Sequence, residues 1–105
     1  MSPSTADLVF GALADPNRRA IVELIAGRGP ATPTELSAHL AISRQGASKH
    51  LGNLVEAGIL EPSRSGREVR YGMLEGGLEP GSAWLARVGD EWDHRLAALK
   101  RHTSG

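Results

Sequence analysis

Residues 33–60 constrain the fold more than any other segment, because their spacing predicts two short helices joined by a three-residue turn. Pro33 suits the first position of a helix, where its missing N–H is not needed. Thr32 and Glu35 have the spacing of a capping box, in which each side chain accepts a hydrogen bond from the other residue's backbone. Ser43, which ends the Ala41-Ile42-Ser43 turn, is a suitable cap for the second helix. This layout is typical of a helix-turn-helix motif.

The second predicted helix has one apolar face and one polar face. Its apolar residues recur at helical spacing and are Ala47, Leu51, Leu54 and Val55. The opposite face is formed by Arg44, Gln45, Ser48, Lys49 and Gly52. Such a face predicts a helix that enters the major groove of DNA, and the alternative is an ordinary solvated helix face. His50 lies at the edge of the apolar residues, so packing or a backbone role explains it at least as well as base contact.

Length and composition exclude several other classes of protein. We expect 105 residues to form one small domain over 1–105, for which burial of further surface by oligomerisation would be favourable. No apolar run approaches the roughly 18 residues of a membrane-spanning helix, and MSPSTADLVF lacks the features of a secretory signal. Without cysteine, the chain has no disulfide, thiolate metal site or cysteine nucleophile. These features predict a cytoplasmic protein.

The net charge of zero is the main objection to DNA binding, because DNA-binding domains are usually basic. The charges are unevenly distributed, however. Residues 44–70 include five basic and three acidic residues, whereas residues 75–105 include four basic and five acidic ones. Phosphate attraction depends on local positive charge, which a dimer would present twice. The charge distribution therefore permits DNA binding without requiring it.

Two more helices are predicted before this motif. Ser4 and Asp7 have capping-box spacing and begin a helix that ends near Ala14. Asp15-Pro16 provides a cap followed by a proline at the first helical position, and Arg28-Gly29-Pro30 ends the second helix.

Residues 59–74 predict a two-stranded hairpin. Val69, Tyr71 and Met73 alternate with polar residues after a polar tip at 63–67, and Pro62 suits an edge strand because it cannot donate to a ladder. Arg70 is expected to point outward with Glu68. Basic residues of the hairpin are expected to neutralise phosphates or enter the minor groove, and they are Arg64, Arg67 and Arg70. The alternative is a basic hairpin that protects an edge strand from aggregation.

Residues 80–102 predict a long amphipathic helix, which follows a flexible break at residues 75–77. Its apolar residues could pack on the chain's own first helix or on the same helix of a second copy. We expect both, with part of the apolar face docked on the first helix and part forming an isologous dimer interface. The predicted interface residues are Leu8, Trp84, Val88, Trp92, Leu96 and Leu99.

The predicted fold is mainly α with a small β-hairpin, in the order of four helices, two strands and a last helix, which is a winged helix-turn-helix. Two motifs, Leu13-Ala14-Asp15-Pro16-Asn17-Arg18-Arg19 and Ser43-Arg44-Gln45 leading into Ala47-Ser48-Lys49-His50-Leu51, support a closer comparison. With them, the sequence resembles the ArsR-like (arsenic-repressor-type) family of bacterial transcriptional repressors over residues 7–101.

The resemblance implies a sequence-specific DNA-binding transcriptional regulator, expected to be a repressor. It implies a homodimer on an inverted repeat of double-stranded DNA, with one recognition helix of each subunit in the major groove. By position, the groove-facing residues would be Arg44, Gln45, Ser48 and Lys49, and Ser43 at the start of the helix is included among the expected DNA-binding residues.

Many members of that family sense metal ions, but this sequence predicts no metal and no cofactor. Asp90 and His94 lie one helical turn apart, which a surface ion pair explains better than a zinc site. The inducer is left open between a small organic molecule, a partner protein and none. The sequence also has no phosphate-binding glycine loop or recognisable catalytic set, so we do not expect an enzyme. The alternative function is a winged-helix module for protein–protein contacts that does not bind DNA, although the polar helix face argues against it.

Overall fold

A computed structural model describes residues 4–103 and shows the predicted winged helix-turn-helix. The element order α1-α2-α3-α4-β1-β2-α5 is as expected. The elements are α1 (Thr5–Leu13), α2 (Pro16–Arg28), α3 (Pro33–His39), α4 (Arg44–Glu56), β1 (Leu60–Ser65), β2 (Glu68–Met73) and α5 (Glu79–Thr103). The helix predicted over residues 80–102 therefore begins and ends one residue further out.

The predicted caps begin the first four helices. Each supplies a side-chain acceptor to backbone N–H groups that have no partner inside the helix. Ser4 with Asp7 and Thr32 with Glu35 form complete capping boxes, in which all four hydrogen bonds measure 3.1 Å. Asp15 Oδ1 accepts from the N–H groups of Asn17 and Arg18. These local bonds explain why the helix starts follow directly from the sequence.

One hydrophobic core connects the helix-turn-helix to α1, α2 and the hairpin. Its largest fully buried side chains are Ile21, Ile25, Leu36, Leu51, Leu54, Ile59 and Leu60. The inner face of α4 contributes Ala47, Leu51 and Leu54, none of which has measurable exposure, whereas Val55 is only half-buried. The apolar face predicted for this helix is therefore confirmed.

The two strands of the hairpin extend closer to its tip than the sequence suggested. The register pairs Leu60 with Met73 at its base and Ser65 with Glu68 at its end. The tip is therefore the two-residue loop Gly66-Arg67, and not the longer polar tip predicted at 63–67. Gly66 has a φ of 63°, a conformation that glycine adopts without strain at the first central position of a type II′ turn.

A short bridge holds the hairpin to the segment before α3. Ala31 N–H donates to Tyr71 O at 3.1 Å, and Tyr71 N–H donates to Ala31 O at 2.9 Å. This bridge covers the outer side of β2, so β1 is the edge strand. Pro62 lies on that edge strand, as predicted.

Residues 74–78 form a tight turn, and not the flexible break expected at 75–77. Leu74 N–H donates to Ile59 O at 2.9 Å, and Gly77 N–H donates to Leu74 O at 2.8 Å. Gly77 is buried, and a Cβ atom at this position would lie 2.7 Å from Gly58 O. The turn is therefore packed closely against the chain that leads into β1.

The beginning of α5 docks on α1, which confirms the prediction that part of its apolar face packs on the first helix. A Cβ atom on Gly81 would lie 3.0 Å from Val9 Cγ1, which shows how closely the two helices approach. The rings of Phe10 and Trp84 meet edge to face with a centroid separation of 5.5 Å. Among the described residues, no helix is both long and apolar enough to cross a membrane.

Candidate nucleic-acid interface

The outer face of α4 is exposed along its whole length. Because successive residues turn by about 100°, the residues opposite the buried face fall on one side of the helix. The structure brings all of the predicted polar residues together there, and Arg44, Gln45, Ser48, Lys49 and Gly52 are exposed. Within residues 4–103, the side chains of Arg44, Gln45, Ser48 and Lys49 have no hydrogen bond or ion pair inside the protein. Their polar groups are therefore available to a ligand.

Ser43 begins this face but also has a structural task. Its Oγ accepts a hydrogen bond from Gly46 N–H at 2.9 Å, which caps α4. A Cβ atom on Gly46 would lie only 3.1 Å from the same Oγ, so a residue without a side chain suits the cap. The acceptor side of the Ser43 hydroxyl is thus used by the helix itself.

The wing, which we define as β1, β2 and the Gly66-Arg67 loop, forms a groove with the helix-turn-helix. This open groove has a volume of about 500 Å³ and lies between the wing and the first residues of α3 and α4. Arg44 and Arg67 both line it. Arg64 and Arg67 are exposed, and no ion pair from either occurs in the described part of the chain. The groove therefore has one unpaired guanidinium group on each side.

Arg70 differs from these two arginines because its guanidinium group is already paired twice. Its Nη1 donates to Glu35 Oε1 at 2.8 Å, and its Nη2 donates to Glu68 Oε2 at 3.1 Å. The prediction that Arg70 and Glu68 share a face is confirmed. The backbone N–H and hydroxyl of Thr32 lower the pKa of Glu35, burial opposes them, and Arg70 lowers it further, so the net shift is downward. Glu35 is therefore held in its charged form.

His50 lies on the inner side of α4 rather than on the exposed face. The residue is half-buried, and its Nδ1 is buried with no hydrogen-bond partner among the described residues. Its charge acts on Asp15, at the start of α2. Burial raises the pKa of Asp15, but the backbone N–H groups of Arg18 and Asn17, together with His50 and Arg18, lower it more. The position of His50 favours a packing role over base contact.

The pair Arg18-Arg19 of the first sequence motif connects α1 to α2, a role that the sequence analysis did not assign. Arg18 Nε donates to Ala12 O at 2.6 Å, and Arg19 Nη1 donates to Leu13 O at 2.6 Å. Both bonds satisfy carbonyl groups that the last turn of α1 leaves without helical partners. The signal in the sequence was two arginines placed just after a helix end, where cations are favourable.

The apolar face of α5 remains largely exposed in the single chain. Leu8, Trp84, Val88, Trp92 and Leu99 are exposed, and Leu96 is half-buried. Trp92 and Leu85 each expose 56% of their surface, and Leu85 was not among the predicted residues.

Within residues 4–103, no three His, Asp or Glu side chains lie close enough together to hold a metal ion. Asp90 and His94 are both exposed.

Comparison with known proteins gives concordant results. A family model described as a helix-turn-helix domain matches residues 13–63. The chain is 31% identical over 88 residues to the transcriptional repressor SdpR of Bacillus subtilis, covering 84% of this chain and 97% of that protein. It is 36% identical over 93 residues to the arsenic resistance transcriptional regulator ArsR1 of Pseudomonas putida, covering 78% and 73% of the two chains. The solved structure of an ArsR-like transcriptional regulator from Rhodococcus sp. RHA1 is 39% identical, with a TM-score of 0.78 and coverage of 92% and 91%.

Proposed function

The chain belongs to the ArsR-like family of winged helix-turn-helix transcriptional regulators, and we propose that it is a repressor that binds an inverted DNA repeat as a homodimer. The observation that supports this most strongly is the outer face of α4. That face is exposed and polar, while Ala47, Leu51 and Leu54 on the opposite face of the same helix are fully buried. The inner face of α4 therefore anchors the helix to the core, while the polar side chains of its outer face have no partner within the described residues.

The residue types on this face suit base recognition in the major groove. Arg44 and Lys49 can donate to guanine O6 and N7, and Gln45 can pair with adenine N6 and N7. Each well-formed bidentate pair contributes about 1–3 kcal/mol of discrimination between bases. Ser48 has a short side chain whose hydroxyl could contact a base edge. Ser43 would lie at the phosphate backbone, where its hydroxyl could donate a hydrogen bond to a phosphate oxygen.

The exposed cations of the wing would hold the protein on the duplex. We assign Arg64 and Arg67 to phosphate or minor-groove contacts, which orient a protein without reading sequence. Arg67 lines the groove beside α4, so a phosphate between the wing and α4 would meet its guanidinium group. The positive charge of these arginines is local, so it can attract phosphates although the net charge of the whole chain is zero.

A homodimer would cover the apolar face of α5. Trp92 and Leu85 are large apolar side chains with more than half of their surface exposed, and Leu8 of α1 is exposed as well. An isologous contact between two copies would relate two α4 helices by a twofold axis. Half-sites would then lie about one helical turn apart, roughly 34–36 Å. We assign the interface to Leu8, Trp84, Val88, Trp92, Leu96 and Leu99, within a single domain that uses residues 80–102 for dimerisation.

Selection of bound duplexes from a random DNA pool tests this function. We expect the selected sequences to share a palindrome, and binding to weaken steeply as salt rises, because phosphate contacts release counterions. The double variant Gln45→Ala/Lys49→Ala should lose sequence preference while remaining dimeric. Arg101→Ala, an exposed cation near the end of α5, is the matched control and should keep the preference.

Two results would overturn the proposal. Binding that is absent at low salt would instead support the protein-contact module as the function of this fold. An unchanged preference in the double variant would show that α4 is not the reading helix. The proposed regulator needs no metal or cofactor and acts in the cytoplasm, and its effector, if any, is a separate question.

A further inference from the structure

We propose that Arg70 positions the wing against the helix-turn-helix and does not itself contact DNA. The proposal rests on the function proposed above, since it concerns how that DNA-binding surface is built. It assigns the phosphate contact of the groove to Arg67, and it gives Arg70 a different task from the two other arginines of the wing.

The first argument is geometric. The Arg70 guanidinium spans from Glu68, on its own strand, to Glu35 in the first turn of α3. Glu35 Oε1 also accepts the Thr32 N–H at 3.1 Å, so one carboxylate oxygen caps α3 and holds the wing. The Ala31–Tyr71 bridge is adjacent to this contact in both segments. Two neighbouring attachments therefore fix the direction of β2 relative to the helix-turn-helix.

The second argument concerns charge. Two carboxylates surround one guanidinium, so the Arg70 cluster has a net negative charge and offers a phosphate no attraction. A direct contact with DNA would bring a phosphate next to Glu35 and Glu68, whose negative charges repel it. Arg67 lines the same groove, and the described residues include no carboxylate paired with it. Arg67 is therefore the better phosphate ligand.

The third argument is that the cluster can be removed without unfolding the protein. The side chains of Arg70, Glu35 and Glu68 expose 38%, 50% and 60% of their surface. Ion pairs this exposed contribute little to folding. Glu35→Gln also keeps the capping box, because glutamine can accept the same backbone hydrogen bond. Variants of the cluster should therefore be folded and comparable.

Amide hydrogen exchange without DNA tests the attachment directly. In Arg70→Gln and in Glu35→Gln, the N–H groups of Tyr71 and Ala31 should exchange roughly two- to fivefold faster, as expected for loss of an exposed ion pair. Arg67→Gln, which changes an unpaired arginine of the wing, is the matched control and should leave both rates unchanged. Unchanged rates in the cluster variants would overturn the positioning role, whatever the protein binds.

DNA affinity measured over a range of salt concentrations tests the second half of the proposal. Arg67→Gln should lower the slope of log K against log salt by about one for each lost phosphate contact. Arg70→Gln should weaken binding with the slope unchanged. Glu35→Gln should weaken it by a similar factor although a negative charge is removed, and the double variant should be no worse than either single one, because both residues act as one unit.

A different pair of results would overturn the proposal that Arg70 does not contact DNA. A reduced salt slope in Arg70→Gln, together with tighter binding by Glu35→Gln, would identify Arg70 as a phosphate ligand for which Glu35 competes. Failure of the unsubstituted protein to bind any duplex would count against the proposed function instead. The exchange experiment would still decide whether Arg70 holds the wing.

Discussion

Ser43 and Ser48 are both exposed serines on the same surface, but they have different roles. Ser43 Oγ accepts the Gly46 N–H at 2.9 Å, whereas the Ser48 hydroxyl has no partner within residues 4–103. The first therefore stabilises the helix, and the second remains available for a ligand. The sequence predicted both positions, because a cap is defined by neighbours only three residues away.

Ser43→Ala should lower the free energy of unfolding by about 1 kcal/mol, within a range of about 0.5–2 kcal/mol, because Gly46 N–H loses its acceptor. Urea unfolding measures the loss. Ser48→Ala is the matched control and should change stability by less than about 0.5 kcal/mol, while weakening DNA binding. Equal losses of stability in the two variants would contradict the capping role of Ser43.

Asp15 and Glu35 should make stability depend on acid pH. Both have a lowered pKa in the folded protein, so their charged forms stabilise the native state. This contribution is complete above their ordinary pKa values of 3.8 and 4.5 and is lost as pH falls through the lower native values. Melting temperatures across that acid range should therefore fall, and they should fall less in Asp15→Asn/Glu35→Gln.

Both amides in that double variant keep their hydrogen-bonding acceptors, so the caps persist while the charge is removed. Glu23→Gln, on the exposed side of α2, is the control and should leave the pH dependence of the melting temperature unchanged. A double variant as acid-sensitive as the unsubstituted protein would show that other carboxylates cause the effect.

Among the elements, the turn at residues 74–78 determines how α5 leaves the domain. Its bonds to Ile59 and its close approach to Gly58 tie the start of α5 to the base of the wing. The helix then packs on α1 through Gly81 and Trp84. The orientation of the last helix is thus set by backbone contacts before its apolar face begins.

Gly77→Ala should destabilise the protein by about 1–3 kcal/mol, because the added methyl group would lie 2.7 Å from Gly58 O, which is backbone and cannot rotate away. Gly27→Ala in α2 is the control, since a Cβ atom there has no neighbour within 4 Å. It should raise stability by up to about 1 kcal/mol, as alanine favours helix. Thermal unfolding of both variants measures the difference, and a neutral Gly77→Ala would show that the turn can move.

The elements themselves were predictable because their signals are local. Caps, proline positions and apolar spacing each involve residues within one or two turns, and all seven elements follow the predicted order. The missed features join residues that are distant in sequence. Arg70 lies 35 positions from Glu35, and the packing of Gly77 depends on the backbone of Gly58 and Ile59. A spacing pattern cannot reveal such contacts, because they arise only when the elements assemble.

For the candidate DNA-binding surface too, the features that depend on local sequence were predictable and the long-range contacts were not. The exposed residues of α4 were predicted from helical periodicity alone, and Arg64 and Arg67 from their place near a turn. Arg70 has the same residue type and the same strand pattern, yet its surroundings are acidic. Sequence therefore identified which cations face outward but not which of them are already neutralised.

For the whole molecule, α5 determines the shape. The principal extents are 67, 31 and 22 Å, and a helix of 25 residues is about 37 Å long. Much of that length lies beyond the contact with α1, where Trp92 is exposed. A molecule this elongated for its size presents an apolar face that a second copy would cover.

Trp92→Glu should convert the protein to a monomer, because a charge would be buried in the proposed interface without a partner. Sedimentation velocity over a range of concentrations measures the mass. Ala86→Glu is the control, since residue 86 is exposed and lies about 200° around the helix from Trp84. A dimer that persists in Trp92→Glu, or one lost equally in Ala86→Glu, would place the interface elsewhere.

The two faces of α4 have a consequence for how such a regulator can diverge. Ala47, Leu51 and Leu54 anchor the helix, whereas Arg44, Gln45 and Lys49 have no contact that the fold requires. Substitutions at the latter positions leave no cavity and no orphaned polar group. A duplicated copy could therefore acquire a new target sequence in a few steps, since folding imposes almost no selection on the residues that would choose the target.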